Sequence, residues 1–336
     1  MNRRQFTLAT ASAGAALVCN GTAANAAPAR AATAVATQFL WVKNVEYAGF
    51  YLADADGLFR NEGIAPAFLA GGPNLASVEA IVAGGRADVG VDEFEKIVDA
   101  VAHGADFVVF GAIYQRSIAG LLSLPKNPIR KAADILDKRI GLQQGAKIFI
   151  DGILRVNGLP PRYTEVPVGF DPDPLVQGAC DGYLCYVTSQ PLVLASRKIP
   201  YVLTGFAQLG YSVYAAALFC RRDYLQKNRD ALVRYTRALA RGWQANRRDP
   251  DRGATLAVSV YGAPLGLDLQ QQIAQNKAQL PYLESPQVER LGLLCVSKDL
   301  VAGPIYKTLR ATGRAELPDP NRLVDETIVR DAHAGR

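Results

Sequence analysis

Three short apolar runs, Phe39 to Val42, Ile64 to Leu69 and Ala87 to Val91, alternate with segments whose apolar residues recur at helical spacing. Runs of that length suit buried strands, and the alternation with helices predicts a βαβαβ unit and a parallel sheet. In an open parallel sheet the ligand crevice lies beyond the carboxyl ends of the strands. The residues that follow each run are therefore the candidates for contact: Lys43, Asn44 and Tyr47, then Gly71, Gly72 and Pro73, then Asp92 and Glu93.

Downstream the pattern continues. Phe94, Ile97, Val98 and Val101 fall at i, i+3, i+4 and i+7 and predict a helix that His103-Gly104 ends. Phe107 to Ile113 is the next strand, with the turn Tyr114-Gln115-Arg116 after it. A second series begins at Arg139 to Leu142, with the turn Gln143-Gln144-Gly145-Ala146, and continues with strands at 164–168, 183–187 and 201–204. Ser212 to Cys220 reads as a strand returning to the first series, followed by a long helix from Arg222 to about Arg247 and further helices to the end.

Trp41, the run NVEYAGFYLA from Asn44 to Ala53, GLFRNEGI, GGPN and GRADVGV resemble the solute-binding proteins of ABC importers, more narrowly their thiamine-precursor and pyrimidine-binding branch. The resemblance reaches to about residue 225. It implies an α/β, two-lobed periplasmic-binding-protein fold of type II, each lobe a mostly parallel sheet flanked by helices, with a two-strand hinge near 116–124 and 212–219. The expected division is 38–119 with 218–336 for lobe 1, and 120–217 for lobe 2.

The N-terminus is in keeping with export. Arg3-Arg4-Gln5-Phe6-Thr7-Leu8 is a twin-arginine pattern followed by an Ala-rich run too short for a bilayer, which needs roughly 20 apolar residues. Ala24-Asn25-Ala26 offers small residues for the peptidase, so residues 1–26 are expected to be a signal, 27–37 a short mature segment, and the destination the periplasm. Val18 before Cys19 disfavours lipid attachment. Loss of Arg3 and Arg4 lowers the formal charge from +6 to +4, and without a basic run this makes no case for nucleic acid.

Around the expected crevice, Trp41, Tyr47 and Tyr114 offer aromatic faces and Asn44 a donor and an acceptor for the edge of a ring. Gly72 lies in a turn with exposed N–H groups, and Asp92 with Glu95 has the Asp-x-x-Glu spacing of a capping box. Glu93 is then free to face a ligand, favouring a neutral or cationic one with N–H donors over an anion. From lobe 2 come Gln143, Gly145, Tyr186 and Thr188, and near the returning strand Tyr211. The expected function is capture of a small aromatic heterocycle for an inner-membrane ABC permease, by a monomer without cofactor or metal. A sulfonate- or nitrate-type receptor of the same fold is the first alternative, and a thiamine-pyrimidine synthase the second.

Catalysis is not expected. His103 and His333 are the only histidines, neither in a nucleophile or metal constellation, and Cys180, Cys185, Cys220 and Cys295 lack a histidine base. The thiamine-pyrimidine synthases that share the resembled fold carry a cysteine-rich motif and a reactive histidine, which this chain does not show. Mass spectrometry of the exported protein is predicted to find an N-terminus near Ala27; an acylated Cys19 would refute soluble release.

Overall fold

The structure, a computed structural model, describes residues 32–334 except Pro73; the expected signal segment, Cys19 and the expected cleavage site lie outside the described residues. Two five-stranded sheets organise the chain. The first has the order β2-β1-β3-β10-β4, built from β1 (Thr33–Phe39), β2 (Ile64–Leu69), β3 (Val89–Asp92), β4 (Phe107–Tyr114) and β10 (Ala215–Arg221). The second has the order β7-β6-β8-β5-β9, from β5 (Ala119–Ser123), β6 (Arg139–Leu142), β7 (Thr164–Pro167), β8 (Gly182–Tyr186) and β9 (Val202–Gly205).

The two sheets share one plan. In each, the first three strands pair in parallel, and a single antiparallel strand is inserted next to the edge. That inserted strand is in both cases the one the chain enters straight after changing sheets: β5 after residues 115–118, and β10 after the return through 206–214. Because β4 neighbours β10 and β5 neighbours β9, the two crossings run side by side in opposite directions. This is the predicted two-lobed α/β architecture, four strands of each sheet running one way.

Several boundaries differ from the sequence reading. β1 starts at Thr33 rather than Phe39, because its outer positions Ala34 and Ala36 are too small to mark an apolar run, and Trp41 consequently lies beyond the strand end. The helix after β2 spans Val78–Ala83 and is capped by Ser77, whose Oγ accepts from the Ala80 N–H at 3.2 Å, not by Asn74. Asp92 and Glu95 form no capping box. Asp92 closes β3 and accepts the Glu93 N–H at 2.7 Å, leaving Glu93 as a cap without a side-chain bond.

The C-terminal region also does more than complete lobe 1. Residues 298–314 pack on the helix Lys147–Val156 of lobe 2: Arg155 donates to the Ala311 carbonyl at 3.1 Å, and Thr312 lies against Gly152. The same segment reaches back to lobe 1 through Arg314, whose Nε and a terminal nitrogen both donate to Asp99, at 2.6 and 2.8 Å.

The first core depends on a close crossing between the helix Ala48–Ala55 and the long helix Arg222–Arg248. Gly49 and Gly242 sit at the crossing; a Cβ at Gly49 would fall on the fully buried Trp243 ring, and one at Gly242 on the Gly49 carbonyl. All four cysteines in the described residues are buried and free, and burial raises the pKa of the Cys295 thiol to about 11. No helix among the described residues is long and apolar enough to cross a membrane. Gly49→Ala is predicted to destabilise the protein by about 1–3 kcal/mol through overpacking, read as a lower urea midpoint; an unchanged midpoint would show that the helices part freely.

Candidate functional site

A cavity of about 370 Å³ opens where the carboxyl ends of the two sheets meet the crossings. Lobe 1 contributes Leu40, Trp41, Glu93, Glu95 and Lys96; lobe 2 contributes Ile148, Phe149, Leu184 and Tyr186. The outward crossing supplies Ser117 and Ile118, the return crossing Phe206 and Tyr211, and the C-terminal segment Arg314. Of the predicted residues, Trp41, Glu93, Tyr186 and Tyr211 are therefore brought together on one cavity.

Two of these are built alike. Trp41 is held by its backbone on both sides: its N–H donates to the Tyr47 hydroxyl at 3.0 Å, and its carbonyl accepts from the Gly71 N–H at 2.9 Å. Its indole is nevertheless 42% exposed. Across the cavity the Tyr186 N–H donates to Gln190 Oε1 and its carbonyl accepts from the Ser189 N–H, both at 2.9 Å, while its ring is 41% exposed. Large rings left about two fifths open on a fixed backbone forgo burial worth about 1 kcal/mol each. A ligand that covered them would recover it.

The remaining predicted residues support these walls instead of lining the cavity. Tyr47 is wholly buried, stacked on Phe39 with centroids 3.8 Å apart, and it acts on the site by gripping the Trp41 backbone. Tyr114, equally buried, donates to Gln279 Oε1 at 2.5 Å, and Gln279 in turn donates to the Val45 carbonyl. Asn44 accepts the Glu46 N–H at 3.0 Å and so caps the short 3₁₀ turn Val45–Tyr47. Gln143 spends its amide on the carbonyls of Gly169 and Leu184. Gly72 and Gly145 shape turns, Gly145 at φ +80°. Asp92 is buried behind Glu93 and pairs with Lys96 at 3.3 Å. Thr188 lies half-buried beyond Tyr186 and is not part of the lining.

Sequence reasoning missed Glu95, Phe149, Phe206 and Arg314. Glu95 is 8% exposed; one oxygen accepts from the Tyr211 hydroxyl at 3.2 Å and the other, Oε2, has no hydrogen-bond partner. Burial raises its pKa, opposed by Arg314 and the Tyr211 bond. Glu93 is pushed up further, by burial first and then by the charges of Glu95, Asp92 and Glu46. Behind them, burial and then Asp92 raise Glu46 to about 7, and burial and then Glu79 raise Asp92 to about 7. The two cations on the cavity are already engaged, Lys96 with Asp92 and Arg314 with Asp99. Among the described residues no cluster of His, Cys, Asp and Glu could hold a metal ion.

The model of the family described as NMT1/THI5 like matches residues 44–253. The chain belongs to the NMT1/THI5-like family. Among curated proteins it is 27% identical over 213 residues to the 4-amino-5-hydroxymethyl-2-methylpyrimidine phosphate synthase of Schizosaccharomyces pombe, a match covering 59% of this chain and 61% of that one. Its fold is that of periplasmic binding proteins. The periplasmic aliphatic sulphonate binding protein SsuA from Escherichia coli superposes with a TM-score of 0.62 at 15% identity, covering 88% of this chain and 99% of that one. The alkanesulfonate-binding protein SsuA from Xanthomonas axonopodis pv. citri, bound to MOPS, superposes with a TM-score of 0.59 at 14% identity, over 88% and 99%.

The synthase relative overturns one expectation. In the sequence, the lack of a histidine or cysteine set argues against an enzyme, yet an NMT1/THI5-like relative of this chain is named as one. Carboxyls can also act as acid and base, and the meeting of Glu93 and Glu95 in one cavity is invisible in sequence.

The raised carboxyls set a pH dependence. Between the unfolded carboxyl range of about 4 and the folded value of about 7, Glu46 and Asp92 keep protons that the unfolded chain has lost, so stability falls as pH rises through that window. Thermal melts from pH 5 to 8 are predicted to show it, and Glu46→Gln to flatten the fall. A melting temperature that rises with pH in wild type would contradict the burial of these groups.

Proposed function

We propose that the protein is the solute-binding component of an ABC importer, exported to the periplasm, where it captures a small flat heterocycle with N–H donors and hands it to a membrane permease. An aminopyrimidine or related thiamine precursor is the ligand class. The observation that carries this reading is the pair of exposed rings, Trp41 and Tyr186, fixed on opposite lobes of one cavity beside Glu93. Flat rings are held by stacking on aromatic faces with a few directed hydrogen bonds. Contacts from both lobes would favour a closed state, the crossings at 115–118 and 206–214 acting as the hinge.

Anion capture, the role for which the sulfonate-binding neighbours are named, is less well supported. Two carboxyl side chains face the cavity, and the cations there are committed to Asp92 and Asp99. A second reading, favoured by the synthase relative, is that the same cleft forms its pyrimidine, with Glu93 and Glu95 as the groups able to hold or move a proton. Chromatography of ligand recovered after incubation separates the two, since a receptor returns it unchanged and a synthase yields a new compound.

Calorimetry with an aminopyrimidine is predicted to show that Trp41→Ala and Tyr186→Ala each weaken binding about tenfold, or about 1.4 kcal/mol. Glu93→Gln should cost about 1.5–3 kcal/mol if it makes one charge-assisted bond to the ligand. Small-angle scattering should show compaction on binding. Silent aromatic variants together with improved sulfonate binding by Glu93→Gln would overturn the heterocycle reading.

A further inference from the structure

The cavity combines two features that each point to the charge of its occupant. Its walls are aromatic, with Trp41, Phe149, Tyr186, Phe206 and Tyr211 on the lining, and aromatic faces attract cations through the ring quadrupole. Its two carboxyls stand beside two cations that are engaged with other carboxylates. From the helix Phe94–Ala102 and the residue before it, Glu93 and Glu95 reach the cavity, with Asp92 at the end of β3 behind them. Glu46, on the turn Val45–Tyr47, and Glu79, on the helix Val78–Ala83, act on the same cluster from two other elements.

The positive charges facing this cluster are Lys96 from the same helix and Arg314 from the C-terminal segment. Both are spent. Lys96 pairs with Asp92, while Arg314 donates two bonds to Asp99 and a third to Thr312 at 2.7 Å. The remaining polar groups on the lining, the hydroxyls of Ser117, Tyr186 and Tyr211, carry no positive charge. Three buried carboxyl oxygens of this cluster, Glu79 Oε1, Asp92 Oδ2 and Glu95 Oε2, have no hydrogen-bond partner. Like charges crowded in a desolvated place cannot all ionise, and the cheapest relief in an empty site is a retained proton.

We propose that the cleft takes its flat ring as a cation, and that binding drives one proton off the Glu93–Glu95 pair into solvent. The bound ring's positive charge, packed between Trp41 and Tyr186, replaces the proton as the counter-charge of the carboxylates. This rests on the receptor reading and refines it, by giving the ligand a positive charge and making capture stronger as pH rises. Glu93, unbonded to any other side chain as a cap, is placed to contact the ring. Glu95, oriented by Tyr211, is the group whose ionisation is coupled to it.

The test is calorimetry on the full chain with 4-amino-1-methylpyrimidinium, whose charge does not depend on pH, against cytosine, which is neutral near pH 7. Titrations at pH 6.5 in two buffers of different ionisation heat count the protons released. The expected result is release approaching one proton with the cation, an affinity that rises severalfold from pH 6 to pH 7.5, and weaker binding of cytosine. Glu95→Gln should lower the proton count. The wild-type count stands even if that variant fails to fold. Binding of the cation with no proton released and no pH dependence would overturn this inference while leaving an aromatic-ring receptor in place, as would cytosine binding more tightly. Failure of both rings to bind would remove the receptor reading and this inference with it.

Discussion

Each sheet is completed by a strand that the other half of the chain delivers. β10 pairs with β3 over Ala217 to Cys220 and with β4 over Ala215 to Arg221, so the first sheet has no continuous ladder until the chain has passed through the second and returned. Gly90 makes room for this: the Phe219 ring packs where its Cβ would be. Because the strand before each crossing and the strand after the other are neighbours in both sheets, the crossings are forced to lie together. The cavity follows from that constraint, since the same crossings bring the carboxyl ends of both sheets to one place.

The electrostatics of the cavity follow from the same topology. A strand that ends at Asp92 and a helix that begins at Phe94 leave Glu93 and Glu95 within one turn of each other at the sheet's carboxyl edge. The C-terminal segment, packed on the lobe 2 helix Lys147–Val156, carries Arg314 into the cavity but ties it to Asp99. Acidic groups are concentrated and cations neutralised, and aromatic rings fill the rest of the wall. These features are the grounds for proposing a flat ligand rich in N–H donors over an anion.

Much of the fold was legible because strand and helix periodicities and the turns between them are local signals. The rule that ligands sit beyond strand ends located Trp41, Glu93 and Tyr186 near one cavity without any knowledge of packing. The same rule could not tell a ring that faces the cavity from one that supports it. Tyr47 follows a strand and Tyr114 ends one, yet both are buried: the chain turns back so that Tyr47 stacks on Phe39, and Gln279 reaches Tyr114 from a helix the local pattern does not connect. Glu95 was hidden by a spacing that fits a capping box, and Arg314 lies more than 200 residues from its partner Asp99, a pairing made by tertiary packing alone.

A crystal structure of the protein with an aminopyrimidine bound decides whether this cavity is a heterocycle site. The ring is expected between Trp41 and Tyr186 with its N–H edge toward Glu93, and the two lobes closed about the crossings. A ring lodged away from both aromatic faces, or a sulfonate drawn from the buffer onto Arg314 with Asp99 released, would contradict it.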